Sequence, residues 1–167
     1  MPSTTESPPK GDVEVTVNGK EEHLQVEPRM LLVEMLREEL DLTGVHVGCE
    51  SSYCGACTVL LDGEPVKTCT VFAAQVHESE ITTVEGLSEG GELHELQESF
   101  SENHALQCGY CTPGLLMSGK ALLDEKPDAS KKEIKKAISG NVCRCTGYQN
   151  IVKAIDQVTE GSSADGS

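Results

Sequence analysis

The chain has 167 residues, with 13 basic and 28 acidic side chains giving a formal net charge of -15. That balance argues against nucleic acid as a partner, because such binding rests on Lys and Arg meeting phosphate. Hydrophobic residues make up 37%, aromatics only 3%, and tryptophan is absent, so a core must be built from Leu, Val, Ile, Ala and Met and calls for a staple.

Eight cysteines are available for that purpose. The opening MPSTTESPPKGD has no basic segment followed by an apolar one, and no hydrophobic run approaches bilayer length, so a cytoplasmic protein without a transmembrane segment is expected. Thiols stay reduced in that compartment, which points the cysteines to metal ligation before disulfides. No basic residue stands between Lys67 and Lys120, whereas eight glutamates do. Such a run reads as a solvated acidic surface, with a salt-adapted host as the alternative.

Residues 1–11 and 160–167 are rich in Ser, Pro, Gly and acids and are expected to be disordered tails. Val13, Val15 and Val17 alternate with polar residues, Asn18-Gly19 supplies a tight turn, and Leu24 and Val26 resume the alternation, which predicts a β-hairpin. From Met30 the period becomes helical through Leu31, Leu32, Met35, Leu36 and Leu40. Thr58–Leu61 and Val66–Val71 form a second predicted hairpin around Asp62-Gly63, and Ile81–Glu85 a further strand. After Gly86 the pattern is helical throughout: Leu93, Leu96 and Phe100 share a face. Thr112-Pro113 reads as an N-cap with proline at the first helical position, and Ser130 with Glu133 as a capping box. Ile151, Val152, Ile155 and Val158 line a last helix. The class is α+β: a small sheet carrying one helix over 12–86, then four helices in a bundle over 87–159, joined in the stretch TVEGLSEGG at 83–91.

The cysteines fall four to each half. Cys49, Cys54, Cys57 and Cys69 have the plant-type ferredoxin spacing for a [2Fe–2S] cluster. A hairpin centred on Asp62-Gly63 pairs position 57 with 68, which returns Cys69 to the loop carrying the other three. That loop, GCESSYCGAC, is built from small residues; Gly48 and Gly55 beside the thiols let the backbone approach a cluster and aim N–H groups at it. Cys108 and Cys111 precede one helix and Cys143 and Cys145 another, so both pairs sit where free N–H groups and the positive dipole end favour a thiolate centre. Cys143 and Cys145, two apart, must occupy a turn, framed by Gly140 and Gly147. Zinc competes with iron–sulfur for four thiolates, more seriously at this second quartet than at the first. The five histidines have no ligating spacing and read as structural or surface residues; Lys131, Lys132, Lys135 and Lys136 read as a solvated helix face.

GVHVGCESSYCGAC with Cys69, QCGYCTPG and NVCRCTGYQNIV together resemble the small iron–sulfur subunit of the molybdenum hydroxylases, the xanthine dehydrogenase and aldehyde oxidase family. The resemblance spans nearly the whole folded region. It implies a β-grasp ferredoxin-like domain and a four-helix bundle, each with one [2Fe–2S] cluster. It also implies a large partner subunit carrying a molybdopterin cofactor and a medium subunit carrying FAD. The bundle cluster would lie nearer the molybdenum, Gln107 and Cys145 would contact the pterin, and the ferredoxin-like cluster would pass electrons on to the flavin. Within the family the chain is most similar to the aerobic carbon monoxide dehydrogenase type. Xanthine-type sequences carry a glycine where Ser52 stands, which points away from xanthine, while aldehydes, purines and aromatic N-heterocycles stay open as substrates. No P-loop, Rossmann glycine signature or nucleophile–base pair is present, so the chain is expected to be an oxidoreductase subunit that is not catalytic alone. A free-standing two-cluster electron carrier and a zinc-binding adaptor are the rival readings.

Overall fold

The computed structural model describes residues 9–88 and 90–159. The tail expected at 160–167 and most of that at 1–11 lie outside these, and the first strand begins at Gly11, inside the expected N-terminal tail. Strands β1 (Gly11–Val17) and β2 (Lys20–Val26) pair antiparallel with Val17 opposite Lys20. Asn18 and Gly19 turn the chain between them at φ 50° and 76°, the left-handed pair that a two-residue turn matching strand twist requires. Val13, Val15 and Val17 are buried on one face.

The expected helix from Met30 differs in geometry. Its first turn, α1 (Leu32–Glu34), widens at once into a π-helical turn over Met35–Glu39. Leu40 N–H bonds the Met35 carbonyl, and the Leu36 carbonyl accepts from Leu42 N–H at 2.9 Å. Arg37 explains the widening: its Nη1 donates to the carbonyls of Thr43 and Val45 at 2.8 and 2.9 Å, holding the following loop against the helix end. The apolar face survives, with Leu32, Val33, Met35 and Leu36 all buried.

Strands β3 (Thr58–Leu61) and β4 (Glu64–Lys67) flank Asp62-Gly63 in the expected register, Thr58 opposite Lys67. The strand expected to reach Val71 stops at Lys67, because Thr68 donates both its N–H (3.3 Å) and its hydroxyl (2.9 Å) to the Cys57 carbonyl and the chain enters a 3-10 turn over Thr68–Thr70. Strand β5 (Glu80–Thr82) likewise ends before the expected Glu85. There the Asn18 side chain captures Thr83, accepting from its N–H at 2.8 Å and donating to its hydroxyl at 3.0 Å, and a 3-10 turn over Val84–Leu87 follows. The sheet order is β2-β1-β5-β3-β4, mixed, with β1 and β5 parallel.

Four α-helices follow: α2 (Glu95–Glu102), α3 (Thr112–Glu125), α4 (Lys131–Ala137), which runs into a 3-10 turn over Ile138–Gly140, and α5 (Gln149–Gln157). His94 caps α2, its ring nitrogen accepting Leu96 N–H at 3.1 Å, and leaves Leu93 exposed outside the helix. Thr112 is the first helical residue instead of the cap, a role that Cys111 takes. The capping box at α4 forms as read, with Ser130 N–H and hydroxyl both donating to Glu133 Oε2 at 2.8 and 2.6 Å. Leu96, Phe100, Leu115, Met117, Ile134, Ile151 and Ile155 are fully buried among these helices, each contributing roughly 1.5–3 kcal/mol of transfer free energy.

The two halves share β3. Leu60 packs into the helical core while Val59 belongs to the core between sheet and α1. Helix α3 lies against β3 so closely that a Cβ on Gly114 would stand 2.1 Å from the Gly55 carbonyl oxygen. In a free helix Gly114→Ala would stabilise by about 1 kcal/mol. Here the obstacle is backbone, which cannot swing aside, so the overpacking cost of about 1–3 kcal/mol wins. Gly114→Ala is therefore expected to lower the thermal denaturation midpoint, and a raised midpoint would refute this account of the contact.

Candidate metal centres

The first quartet hangs on the loop between the π-helical turn and β3, with Cys69 in the turn after β4. Glu50, Ser52 and Gly55 adopt left-handed conformations, φ 54°, 59° and 73°, at about 1 kcal/mol or more for each non-glycine. The strained turns aim amides at sulfur. Ser51 and Cys54 N–H donate to Cys49 Sγ at 3.4 and 3.3 Å, and Ser52 N–H donates to Cys69 Sγ at 3.4 Å. The Ser51 side chain, then the Cys54 and Ser51 amides, bring the Cys49 thiol down to about 6. Burial pushes the Cys69 thiol up, with Ser52 N–H opposing and the neighbouring Cys57 adding to the rise.

Gly48 and Gly55 have different reasons to be glycine. A Cβ on Gly48 would stand 2.9 Å from Cys54 Sγ, so the small residue clears space for a thiol. Gly55 is instead hemmed by the other half: its Cβ would meet the Gly140 carbonyl at 2.3 Å and Asn141 Nδ2 at 2.7 Å.

The second quartet lies at the starts of α3 and α5. Cys143 Sγ accepts from Thr146 N–H at 3.5 Å and contacts Thr146 Oγ1 at 3.1 Å. Its own N–H donates to Tyr148 Oη at 2.7 Å, and that hydroxyl donates to the Asn141 carbonyl at 3.1 Å. Burial pushes the Cys143 thiol up, but the Thr146 hydroxyl, the amides of Thr146 and Cys145 and the Cys111 thiol outweigh it and hold it below its ordinary value. Burial, then Cys143, pushes Cys111 up to about 12. Contact with Cys108 raises Cys145. Cys108 and Cys145 are exposed, and so is Gln107.

In each site the thiols influence one another's acidity. Cys54 bears on Cys49, Cys57 on Cys69, Cys143 on Cys111 and Cys108 on Cys145. All eight are free of disulfides. Among the described residues no three His, Cys, Asp or Glu side chains converge as around a single metal ion. One tetrahedral zinc draws four sulfurs to mutually equal spacing, whereas a two-iron cluster takes two thiolates on each iron. Four thiols at each site suit the second arrangement.

Sequence reasoning missed the groups that hold the two quartets to each other. Val142 N–H donates to the Cys54 carbonyl at 2.7 Å. Asn141, buried, donates through Nδ2 to the Gly55 carbonyl at 3.0 Å and accepts Ser118 Oγ at 2.8 Å. His46, read as structural or surface, stacks on Tyr110 at 4.7 Å between ring centroids and contacts its carbonyl through Nδ1 at 2.7 Å, while Tyr110 Oη donates to the Val47 carbonyl at 2.6 Å. Lys131, Lys132, Lys135 and Lys136 are exposed as expected, Lys131 pairing with Asp156 at 3.3 Å. No helix of the described residues is long and apolar enough to cross a membrane.

A sheet loop and a pair of helix starts, each presenting four thiols, have the donor chemistry of an iron–sulfur protein. Residues 15–88 match the model of the 2Fe–2S iron–sulfur cluster binding domain and residues 83–156 that of the [2Fe–2S] binding domain. The chain is 56% identical over 84% of its length to the 6-hydroxypseudooxynicotine dehydrogenase complex subunit beta of Paenarthrobacter nicotinovorans, covering 88% of that protein. It is 52% identical to the caffeine dehydrogenase subunit gamma of Pseudomonas sp. (strain CBB1), over 88% of this chain and 90% of that one. Its structure is similar to that of quinoline 2-oxidoreductase from Pseudomonas putida 86, with a TM-score of 0.88 and 46% identity over 92% of this chain and 96% of that one. The chain belongs to the small iron–sulfur subunits of the molybdenum hydroxylases, electron-transfer subunits of oxidoreductases that are not catalytic alone. These relatives give the carbon monoxide assignment no support.

Iron and acid-labile sulfide should each be found at about four atoms per chain. Cys145→Ser should alter the EPR signal of one centre and leave the other unchanged. Zinc without sulfide after anaerobic isolation would refute the two-iron reading.

Proposed function

We propose that Cys49, Cys54, Cys57 and Cys69 hold one [2Fe–2S] cluster and Cys108, Cys111, Cys143 and Cys145 the other, in domains spanning 12–86 and 87–159, the latter a four-helix bundle. The chain carries electrons from a molybdopterin on a large partner subunit to FAD on a medium one, in a cytoplasmic enzyme. When bound, each cluster supplies a one-electron couple whose potential follows hydrogen bonding, charge and exposure.

The observation that carries this reading is the 2.7 Å hydrogen bond from Val142 N–H to the Cys54 carbonyl. Val142 adjoins Cys143 in the second quartet and Cys54 belongs to the first, so one hydrogen bond completes a short route of bonded atoms between them. Beside that route the buried Asn141 side chain clamps the Gly55 carbonyl at 3.0 Å. Each end has a surface for docking. Cys108 and Cys145 are exposed beside Gln107, with the exposed apolar side chains of Leu106, Tyr110 and Val142 around them. That face supports electron entry, with Gln107 and Cys145 against the pterin. At the other end Tyr53, next to Cys54, is 76% exposed and suits a second partner. Apolar exposure at both ends favours an assembled subunit over a free-standing carrier.

The named relatives act on nicotine-derived, caffeine and quinoline compounds, which supports an aromatic N-heterocycle as substrate of the assembled enzyme. Mixing the isolated complex anaerobically with quinoline, nicotine or caffeine should bleach the visible iron–sulfur absorption within one turnover for at least one of them. Reduction by an aldehyde or carbon monoxide and by none of these would overturn the substrate class.

A further inference from the structure

The chain is acidic, yet its basic residues gather in one place. Residues 131–153 hold Lys131, Lys132, Lys135, Lys136, Arg144 and Lys153, six of the 13 basic side chains, against Glu133 as the one acid. Glu133 is already engaged, bonding Lys126 Nζ at 2.5 Å and capping α4 through Ser130. Asp156 takes Lys131 at 3.3 Å. Among the described residues no carboxylate comes within ion-pair reach of Lys135 or Lys153.

These charges border a groove. It has a volume of about 750 Å³ and lies between α4 and the start of α5, with Lys131, Lys135 and Lys153 exposed around it and buried Ile138 and Val152 and half-buried Tyr148 lining it. A solvated lysine face needs no apolar cleft between its charges, whereas an anionic segment bearing an apolar side chain engages both. The groove belongs to the side of the second quartet. Gly147, two residues after Cys145, is part of its lining, and Tyr148 Oη accepts Cys143 N–H at 2.7 Å. No residue between 49 and 69 lines it.

We propose that this groove is the docking site for an acidic segment, carrying an apolar side chain, of the partner subunit that holds the molybdopterin. The inference rests on the assignment of the exposed Cys108 and Cys145 face as the side of electron entry. Charge sets the sign of the occupant, and the position beside Cys145 sets which partner brings it. A second copy of this chain also offers carboxylates, but it would occupy the flank of the face through which electrons enter. Lysines at the rim of such a contact steer and register the approach of the partner, and like charges brought together there weaken it.

The test is a dilution series of the purified complex, with molybdenum and flavin read against iron in the fraction containing this chain. Lys135→Glu with Lys153→Glu sets carboxylates against carboxylates and should raise the concentration at which half the molybdenum is lost about tenfold, the difference shrinking as salt is added. Iron, sulfide and both EPR signals should stay as in the wild type, since both side chains are exposed. Lys135→Gln with Lys153→Gln should lie between the two, and it decides the question if the Glu pair loses a centre. Lys135→Arg with Lys153→Arg should dilute like wild type. Wild-type behaviour in the Glu pair would overturn the proposal, as would loss of flavin in place of molybdenum, or an equal loss of molybdenum in the Arg pair. Self-association of the wild type that the Glu pair abolishes, with molybdenum retained, would overturn it in favour of a second copy. A wild-type complex without a molybdenum subunit would overturn the proposed function itself and this inference with it.

Discussion

The contact of Gly55 with Asn141 and Gly114 is the constraint on which the arrangement of both centres depends. Three backbones approach where no side chain fits: Gly114 against the Gly55 carbonyl, and Gly55 against Gly140 and Asn141. The buried Asn141 amide satisfies the Gly55 carbonyl, and Val142 N–H satisfies that of Cys54. Two polar groups that burial would otherwise leave costly are thus paired across the seam. The loop of the first quartet and the turn of the second are held as one unit, so the distance between the two sets of thiols is fixed by packing and not by a flexible linker.

Around that seam the chain accepts local cost to present thiols. Glu50 and Ser52 adopt left-handed conformations without being glycine, and Tyr148 does so at φ 69° ahead of α5. The first two direct loop amides at Cys49 and Cys69; the third brings Tyr148 Oη to Cys143 N–H and the Asn141 carbonyl. Strain at a site persists when its surroundings over-determine it. Here the surroundings are the Asn141 network, which links Tyr148 on one side to Gly55 on the other.

Much of this was legible beforehand where the signal is local. Both two-residue turns, the capping box at Ser130 and Glu133, and the buried faces of α1 and α5 follow from turn chemistry and periodicity. The eight cysteines and their division into quartets follow from spacing. The misreadings share a cause in tertiary contacts. Arg37 converts a helical turn to a π turn by binding carbonyls further along the loop, Thr68 ends β4 by doubling its bonds to Cys57, and Asn18 stops β5 at Thr83 from across the sheet. Periodicity reports which face is buried. It is blind to a side chain that arrives from a distant segment.

The sequence by itself determined the spacing of the eight cysteines, the turn that returns Cys69 to its loop and the helix starts beside the other thiols, because these depend on residue type and short spacing. Only the tertiary structure decided that Cys108 and Cys145 are exposed while Cys57 and Cys69 are buried, and that Val142 reaches Cys54. Gly114 and Asn141 were ordinary residues in the linear chain. Their roles arise from partners across the fold, up to 86 positions away for Asn141 and Gly55, and contacts at that range are set by packing, which no local pattern encodes.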